Sequence, residues 1–237
     1  QGLAATIVDV APQLLTNFDE DVAEHVEEDL RAAGVEGRLG DGVAGIEGAG
    51  GRVTGVRTAS GQLLPADMVI VALGVRPNAA LAEEAGIALG ETGAVAVDAR
   101  QGTSVENVFA GGDCCEAMHL VTGKPAYVPL GTTANKQGRV AGTVIGGGRA
   151  AFPGIVGTAV LKARKVAAAR TGLSERQARE EGFDAVAATI KAMDRVETQP
   201  GAKPIWVKLV AEKGTGRLLG GQVVGSDLLA VSGRIGV

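Results

Sequence analysis

The residues with the clearest chemical use close one run, Thr103-Ser104-Val105-Glu106-Asn107-Val108-Phe109-Ala110-Gly111-Gly112-Asp113. A strand-like stretch there delivers two glycines and then a carboxylate. Glycines let a backbone approach a ligand closely, and a carboxylate accepts hydrogen bonds from hydroxyl groups. Taken alone, Gly111-Gly112-Asp113 also fits a plain turn whose acid caps a helix. Cys114 and Cys115 follow directly and are the only two cysteines of the chain. Adjacent cysteines match neither a zinc site nor a Cys-x-x-Cys redox pair, and a disulfide between neighbours strains the peptide joining them. They read as two small side chains packed after a glycine turn. His119 and Asn135, isolated polar residues on a loop and a helix, read as structural on local grounds.

The elements that must position these residues are written in apolar periodicity. Ala5 to Val10 is a short apolar strand carrying an acid, Asp9, at its end. Val22, Val26, Leu30 and Ala33 recur at helical spacing, which predicts a helix over 18–33 closed by Gly34. Strands are expected at 35–39, 42–47, 52–58 and 62–64, joined by glycine turns. The run Ala66 to Leu73 is continuously apolar, as in a strand buried on both faces. Beyond Gly74-Val75-Arg76-Pro77-Asn78, strands are expected at 94–97 and 107–110, and a helix at 131–145. From about Phe152 the pattern changes to strands at 158–171, 184–191, 205–212 and 218–225. Ser174-Glu175-Arg176-Gln177 is a capping box that opens a helix ending near Gly182. Strands grouped around one helix predict an α+β domain with an antiparallel sheet.

Composition removes several classes of function. A net charge of -4 with no basic cluster argues against nucleic acid as a partner. Apolar runs are short and broken by glycine, so no membrane span is expected. The chain opens on Gln1-Gly2-Leu3 with no basic leader, which suits an excised piece of a cytoplasmic protein. Aromatics make up only 3% of residues, so the core has to be built from Val, Ala, Leu and Ile.

Taken in order, several stretches carry a resemblance. They are Asp67 to Asn78, Thr103 to Asp113, His119 to Pro125, Pro129 to Arg139, Ala169 to Leu173, Pro200 to Pro204 and Leu219 to Gly225. Together they resemble the pyridine nucleotide–disulfide oxidoreductases, within them the coenzyme A-disulfide reductase and NADH oxidase group. The resemblance implies an α/β chain. It would hold remnants of two Rossmann-like nucleotide-binding domains, for FAD and NAD, and a C-terminal α+β interface (dimerisation) domain. The implied bounds are 1–75 for the NAD-binding part and 76–151 for the second FAD-binding segment. The dimerisation domain would take 152–237 and be truncated at its C-terminus.

The same resemblance assigns roles. Asp113 would hydrogen-bond the flavin ribityl chain, with Gly111 and Gly112 admitting the cofactor. Leu130, Gly131 and Thr132 would bring a helix N-terminus to the flavin, where unpaired N–H groups and the positive dipole end stabilise negative charge. Gly74 lies where the chain crosses between nucleotide domains and is counted with the cofactor contacts. Asp9 would accept hydrogen bonds from the adenosine ribose and repel a 2′-phosphate, favouring NADH over NADPH. Asn135 stands where relatives place a coenzyme A contact. The implied function is hydride transfer from NADH through flavin to a disulfide, persulfide, thiol-linked or oxygen acceptor, in a homodimer.

Departures accompany the match. Neither nucleotide half is assigned a Gly-x-Gly-x-x-Gly fingerprint, and no cysteine stands in an Asn-Cys context. Both features, the redox cysteine included, are expected upstream in a longer parent, leaving these residues inactive alone. Thr198-Gln199 occupies the place where coenzyme A-disulfide reductases tend to carry paired tyrosines. A ferredoxin or rubredoxin reductase of similar fold and a non-catalytic assembly protein are the rival readings.

Overall fold

The computed structural model describes residues 2–235. Contacts divide the chain into two compact units, Gln1–Leu73 with Thr158–Val237, and Gly74–Gly157.

The first unit opens as a βαβ turn of chain. Strand β1 (Ala5–Asp9) and β2 (Val35–Leu39) pair in parallel, with α1 (Glu20–Ala32) between them. The apolar spacing of α1 buries Val22, Ala23 and Val26, and Gly34, at φ +80°, ends the helix. Strands β3 (Val43–Ala49), β4 (Arg52–Thr58) and β5 (Leu63–Pro65) follow as an antiparallel sheet.

Two expectations change here. A Gly-x-Gly-x-x-Gly spacing does occur, at Gly40, Gly42 and Gly45, but it joins β2 to β3. With no helix after it, it offers no helix N-terminus to a pyrophosphate. The run Ala66 to Leu73 is not a paired strand: Met68, Ile70 and Leu73 stand 75%, 82% and 84% exposed. A strand of this kind needs a neighbour on its edges and cover on its faces. The Ala66 N–H still donates to the Thr54 carbonyl at 3.2 Å, but among the described residues no strand pairs with the rest of the run.

The same unit continues through β8 (Ala159–Ala163) and β9 (Val166–Gly172), α4 (Glu175–Glu180), β10 (Ala185–Met193), β11 (Pro204–Glu212) and β12 (Leu218–Gly225). These strands make an antiparallel sheet of order β10-β11-β12-β9-β8. A last helix, α5 (Leu228–Ile235), was not expected from the sequence. It covers one face of the sheet and α1 covers the other. The alternation of strand side chains sorts the contacts: Ala167, Ala169 and Val223 meet Val231 of α5. Ala168 and Val224, one residue on, meet Phe18, Val22 and Val26 beside α1. Alanines on β9 let both helices pack close.

The second unit contains α2 (Ala80–Glu84), β6 (Ala117–Met118), β7 (Pro125–Ala126) and α3 (Gly131–Ile145). The strands expected at 94–97 and 107–110 are reduced to isolated bridges, Val95 to Leu89 and Cys115, and Phe109 to Gly102. Asn107 sits at φ +62°, outside the extended region, so the second run begins on a turn. The core gathers Ala79, Val95 and Cys115, then Ala117, Phe152 and Ile155 with Val140 of α3 packed on.

A polar lock joins the helix-α1 end to the five-stranded sheet. The Asp19 backbone N–H donates to Gln222 Oε1 at 2.8 Å, and its carboxylate accepts from Gln222 Nε2 at 2.6 Å. That carboxylate also accepts the N–H groups of Glu175 and Arg176 at 3.0 and 3.3 Å, so it caps α4 and not its own helix. Ser174 and Gln177 complete the α4 capping box as expected. Lys208 Nζ reaches Asp21 at 2.8 Å, and Asp19 and Glu175 at 3.3 Å each. Arg170 donates to the Asn17 carbonyl at 2.6 Å and to Gln177 Oε1 at 3.0 Å.

Burial opposes ionisation of Asp19. The Glu175 N–H, the Lys208 charge and the Gln222 amide outweigh it and hold the carboxyl below the usual aspartate range. A depressed carboxyl pKa contributes stability above its unfolded value and loses it as pH falls through the folded value. Lys208→Met is therefore expected to lower unfolding free energy by roughly 3 kcal/mol at neutral pH. Urea melts should show the loss shrinking as pH drops below 4, about the ordinary aspartate value. An equal loss at pH 7 and pH 3 would contradict the lock.

Candidate functional site

The corner expected from the sequence is built on α3. Gly112 takes φ +99°, a conformation open to glycine, and turns the chain so that Asp113 points outward and is exposed. Cys115 N–H donates to the Gly112 carbonyl at 3.0 Å and closes the turn. A Cβ on Gly112 would lie 3.8 Å from Ala134 Cβ, in the opening turn of α3. The corner thus rests on the same helix whose first residues are Gly131 and Thr132.

That helix begins without a side-chain cap. Its N-cap is Leu130, an extended residue with no hydrogen-bonding side chain, and Gly131 and Thr132 are exposed. Its leading N–H groups and the positive end of its dipole are left for an outside acceptor. An exposed carboxylate that accepts from hydroxyls and an uncapped helix end that donates are a donor set suited to a polyol-linked heterocycle. Gly111 and Gly112 rest against α3 at Gln137 and Ala134, and Leu130, Gly131 and Thr132 open that same helix.

Other expected residues fall elsewhere. Asp9 ends β1 in the first unit, where its Oδ1 accepts the Ala11 N–H at 2.9 Å. Gly74 is exposed at φ +89°. Asn135, exposed on α3, accepts from Arg139 Nη2 at 3.3 Å, an ordinary pair one helical turn apart. His119 is buried, its Nδ1 accepting the Thr122 N–H at 3.4 Å and its backbone N–H bonded to the Lys124 carbonyl.

Cys114 and Cys115 remain thiols with sulfurs 3.6 Å apart. Burial, and then the adjacent Cys114, push the Cys115 thiol far above its usual range.

Sequence reasoning missed three neighbours of the corner. Gln137, fully buried on α3, accepts the Gly112 N–H and donates to the Glu116 carbonyl. Glu116, also buried, accepts from the Thr92 N–H and hydroxyl at 2.9 and 2.7 Å. Tyr127 lies close enough that burial, then the charges of Asp113 and Cys114, push its phenol up. Only Gln137 had a signal: it shares the buried face of α3 with Ala134 and Val140, where a polar residue is out of pattern.

Comparison with known proteins decides what this arrangement belongs to. The model of the pyridine nucleotide-disulphide oxidoreductase family matches residues 1–138, and that of the family's dimerisation domain matches 158–236. The chain belongs to this family. An NAD(P)H coenzyme A polysulfide/persulfide reductase of Pyrococcus horikoshii is 44% identical over 230 residues, 97% of this chain and 51% of that protein. An NADH oxidase of Methanocaldococcus jannaschii is 36% identical over 231 residues, again 97% of this chain and 51% of the other. Among solved structures, an NAD-dependent persulfide reductase from A. fulgidus superposes with a TM-score of 0.93 at 41% identity. It is covered to 43%, against 98% of this chain.

The chain therefore spans about half the length of the curated relatives it matches. The fold class follows the family, with Rossmann-type parts and a dimerisation domain. Among the described residues no helix is long and apolar enough to cross a membrane, and no group of three or more His, Cys, Asp or Glu side chains is set to hold a metal ion.

The burial of Cys115 gives a direct check. In the folded protein, iodoacetamide at pH 8 should alkylate Cys115 at least about tenfold more slowly than in 8 M urea, because the thiolate is the reactive form. Peptide mass spectrometry reads both rates. Equal rates would mean that the thiol is neither buried nor raised.

Proposed function

We propose that these residues supply one half of a flavin-dependent, NADH-linked oxidoreductase whose acceptor is a sulfur–sulfur bond in a thiol-linked small molecule. One observation carries the reading: an exposed Asp113 carboxylate on a glycine corner that rests on the uncapped end of α3. Its chemistry fits the FAD expected of the family. Bound FAD would supply the carrier that takes a hydride from NADH and passes it on. Asp113 would accept hydrogen bonds from the ribityl hydroxyls, and Gly111 and Gly112 would keep that edge open. Leu130, Gly131 and Thr132 would turn the α3 amides toward the ring, stabilising negative charge there.

Residues 1–75 are assigned to the NAD-binding part, 76–151 to the FAD-binding part and 152–237 to the dimerisation domain. Asp9 is assigned to the adenosine ribose of NADH, through the carboxylate oxygen that the Ala11 amide does not hold. Gly74 is assigned to the crossing between the two nucleotide parts. Asn135 is kept as a contact for the thiol substrate. The redox cysteine and both glycine fingerprints are assigned to the rest of the full-length protein, which is taken to be a cytoplasmic homodimer.

A second acceptor has one observation in its favour. Thr198 and Gln199, exposed in the loop before Pro200, replace the tyrosines expected near a coenzyme A disulfide. That favours a persulfide, the acceptor in the names of two relatives, or oxygen over a coenzyme A disulfide. The matching dimerisation domain counts against a ferredoxin-type reductase.

Two measurements test this. Asp113→Ala in the full-length protein should cut bound FAD per chain several-fold by absorbance near 450 nm, with the melting temperature of the FAD-free protein unchanged, since the residue is exposed. Unchanged flavin content removes that role. For Asp9, full-length enzyme should use NADH with a kcat/KM at least tenfold above NADPH, and Asp9→Ala should narrow the gap. Equal efficiencies in the unsubstituted enzyme would overturn the assignment.

A further inference from the structure

Gln137 is a polar side chain in a place where packing alone favours an apolar one. It is 0% exposed, in the middle of α3, on the face that also carries Ala134 and Val140. Burying a carboxamide is costly unless both of its ends are bonded. Both are. Oε1 accepts the Gly112 N–H at 3.0 Å, and Nε2 donates to the Glu116 carbonyl at 3.1 Å.

Those two partners bracket the turn that presents Asp113 and the cysteine pair. One side chain therefore pins both ends of the corner to the helix. The backbones touch as well. A Cβ on Gly111 would come within 3.3 Å of the Gln137 carbonyl carbon and 3.4 Å of the Gly138 nitrogen. No other uncharged side chain of this length pairs an acceptor with a donor in the same way. Methionine would fill a similar space and make neither bond, and an ionised glutamate would both lose the donor and bury a charge.

We infer that Gln137 is a positioning residue for the flavin corner, locking Gly112 and Glu116 to α3 so that Asp113 and the helix N-terminus act as one rigid surface. This rests on the FAD assignment made above. Asp113 sits on a left-handed glycine, a hinge with wide freedom if unpinned. The Gly112 amide is the group through which the helix fixes that hinge, and the Glu116 carbonyl fixes the far end. Without the carboxamide, Asp113 keeps its chemistry and loses its address.

The full-length protein with Gln137→Met tests this beside Val140→Ala, which removes core volume from the same helix without touching the corner. FAD affinity of the apoprotein, flavin midpoint potential, melting temperature and amide exchange of the peptide covering 111–116 are measured for each. Gln137→Met should raise the FAD Kd at least tenfold, speed exchange in 111–116 at least tenfold and move the midpoint potential. Val140→Ala, at a comparable loss of melting temperature, should change the FAD Kd less than twofold. If methionine at 137 fails to fold, Gln137→Asn carries the same comparison, being the same amide one methylene too short for both bonds. Gln137 variants that match Val140→Ala in FAD Kd and potential would overturn the inference and leave the FAD assignment standing. A full-length protein that binds no FAD at all would remove both.

Discussion

A buried amide with two partners decides the geometry of the corner. Gln137 cannot be inside α3 without acceptor and donor, and it finds them at Gly112 and Glu116. That requirement brings the turn against the helix, and glycine at 111 lets the two backbones close to contact. With the turn fixed, Asp113 is exposed on a corner held by α3, and Leu130 leaves the start of that helix without a side-chain cap. Neither would specify a ligand alone. In the function proposed above, a carboxylate that accepts and a helix end that donates, held by a common support, would together take a polyol attached to an electron-poor ring.

The first unit shows a comparable economy. Asp19 lies just before α1 and leaves that helix uncapped by its side chain. It spends its carboxylate on α4, Gln222 and Lys208 instead. A segment that begins like a nucleotide-binding βαβ is tied in this way to the sheet matched by the dimerisation model. The alternation of Ala167, Ala168 and Ala169 places a helix on each face, so a strand of small residues becomes the centre of the unit.

Much of this was legible in the residues because local and tertiary preferences agree there. The helix over 131–145, the capping box at Ser174 and the antiparallel strands at 184–191, 205–212 and 218–225 have strong periodic or capping signals and lie where expected. The single strand expected at 158–171 is instead a hairpin, β8 and β9, turning at Arg164 with φ +51°. The run Ala66 to Leu73 misled because apolar continuity reports the burial a strand needs, and among the described residues no strand lies beside it past Ala66. The strands near Val95 and Phe109 shrank to bridges: Val95 pairs with Leu89 and Cys115 at one residue each, and a left-handed Asn107 stops the run before Phe109. Gln137 and Asp19 were silent for a different reason. Their roles are set by partners 25 and 203 residues away at most, and such pairings leave no local pattern.

The most direct test of the account is a crystal structure of the full-length protein grown with FAD. It predicts an Asp113 carboxylate oxygen about 2.5–3.0 Å from a ribityl hydroxyl, with the Gln137 carboxamide still on the Gly112 N–H. Flavin bound with Asp113 facing solvent, or a corner detached from α3 in the loaded protein, would contradict it.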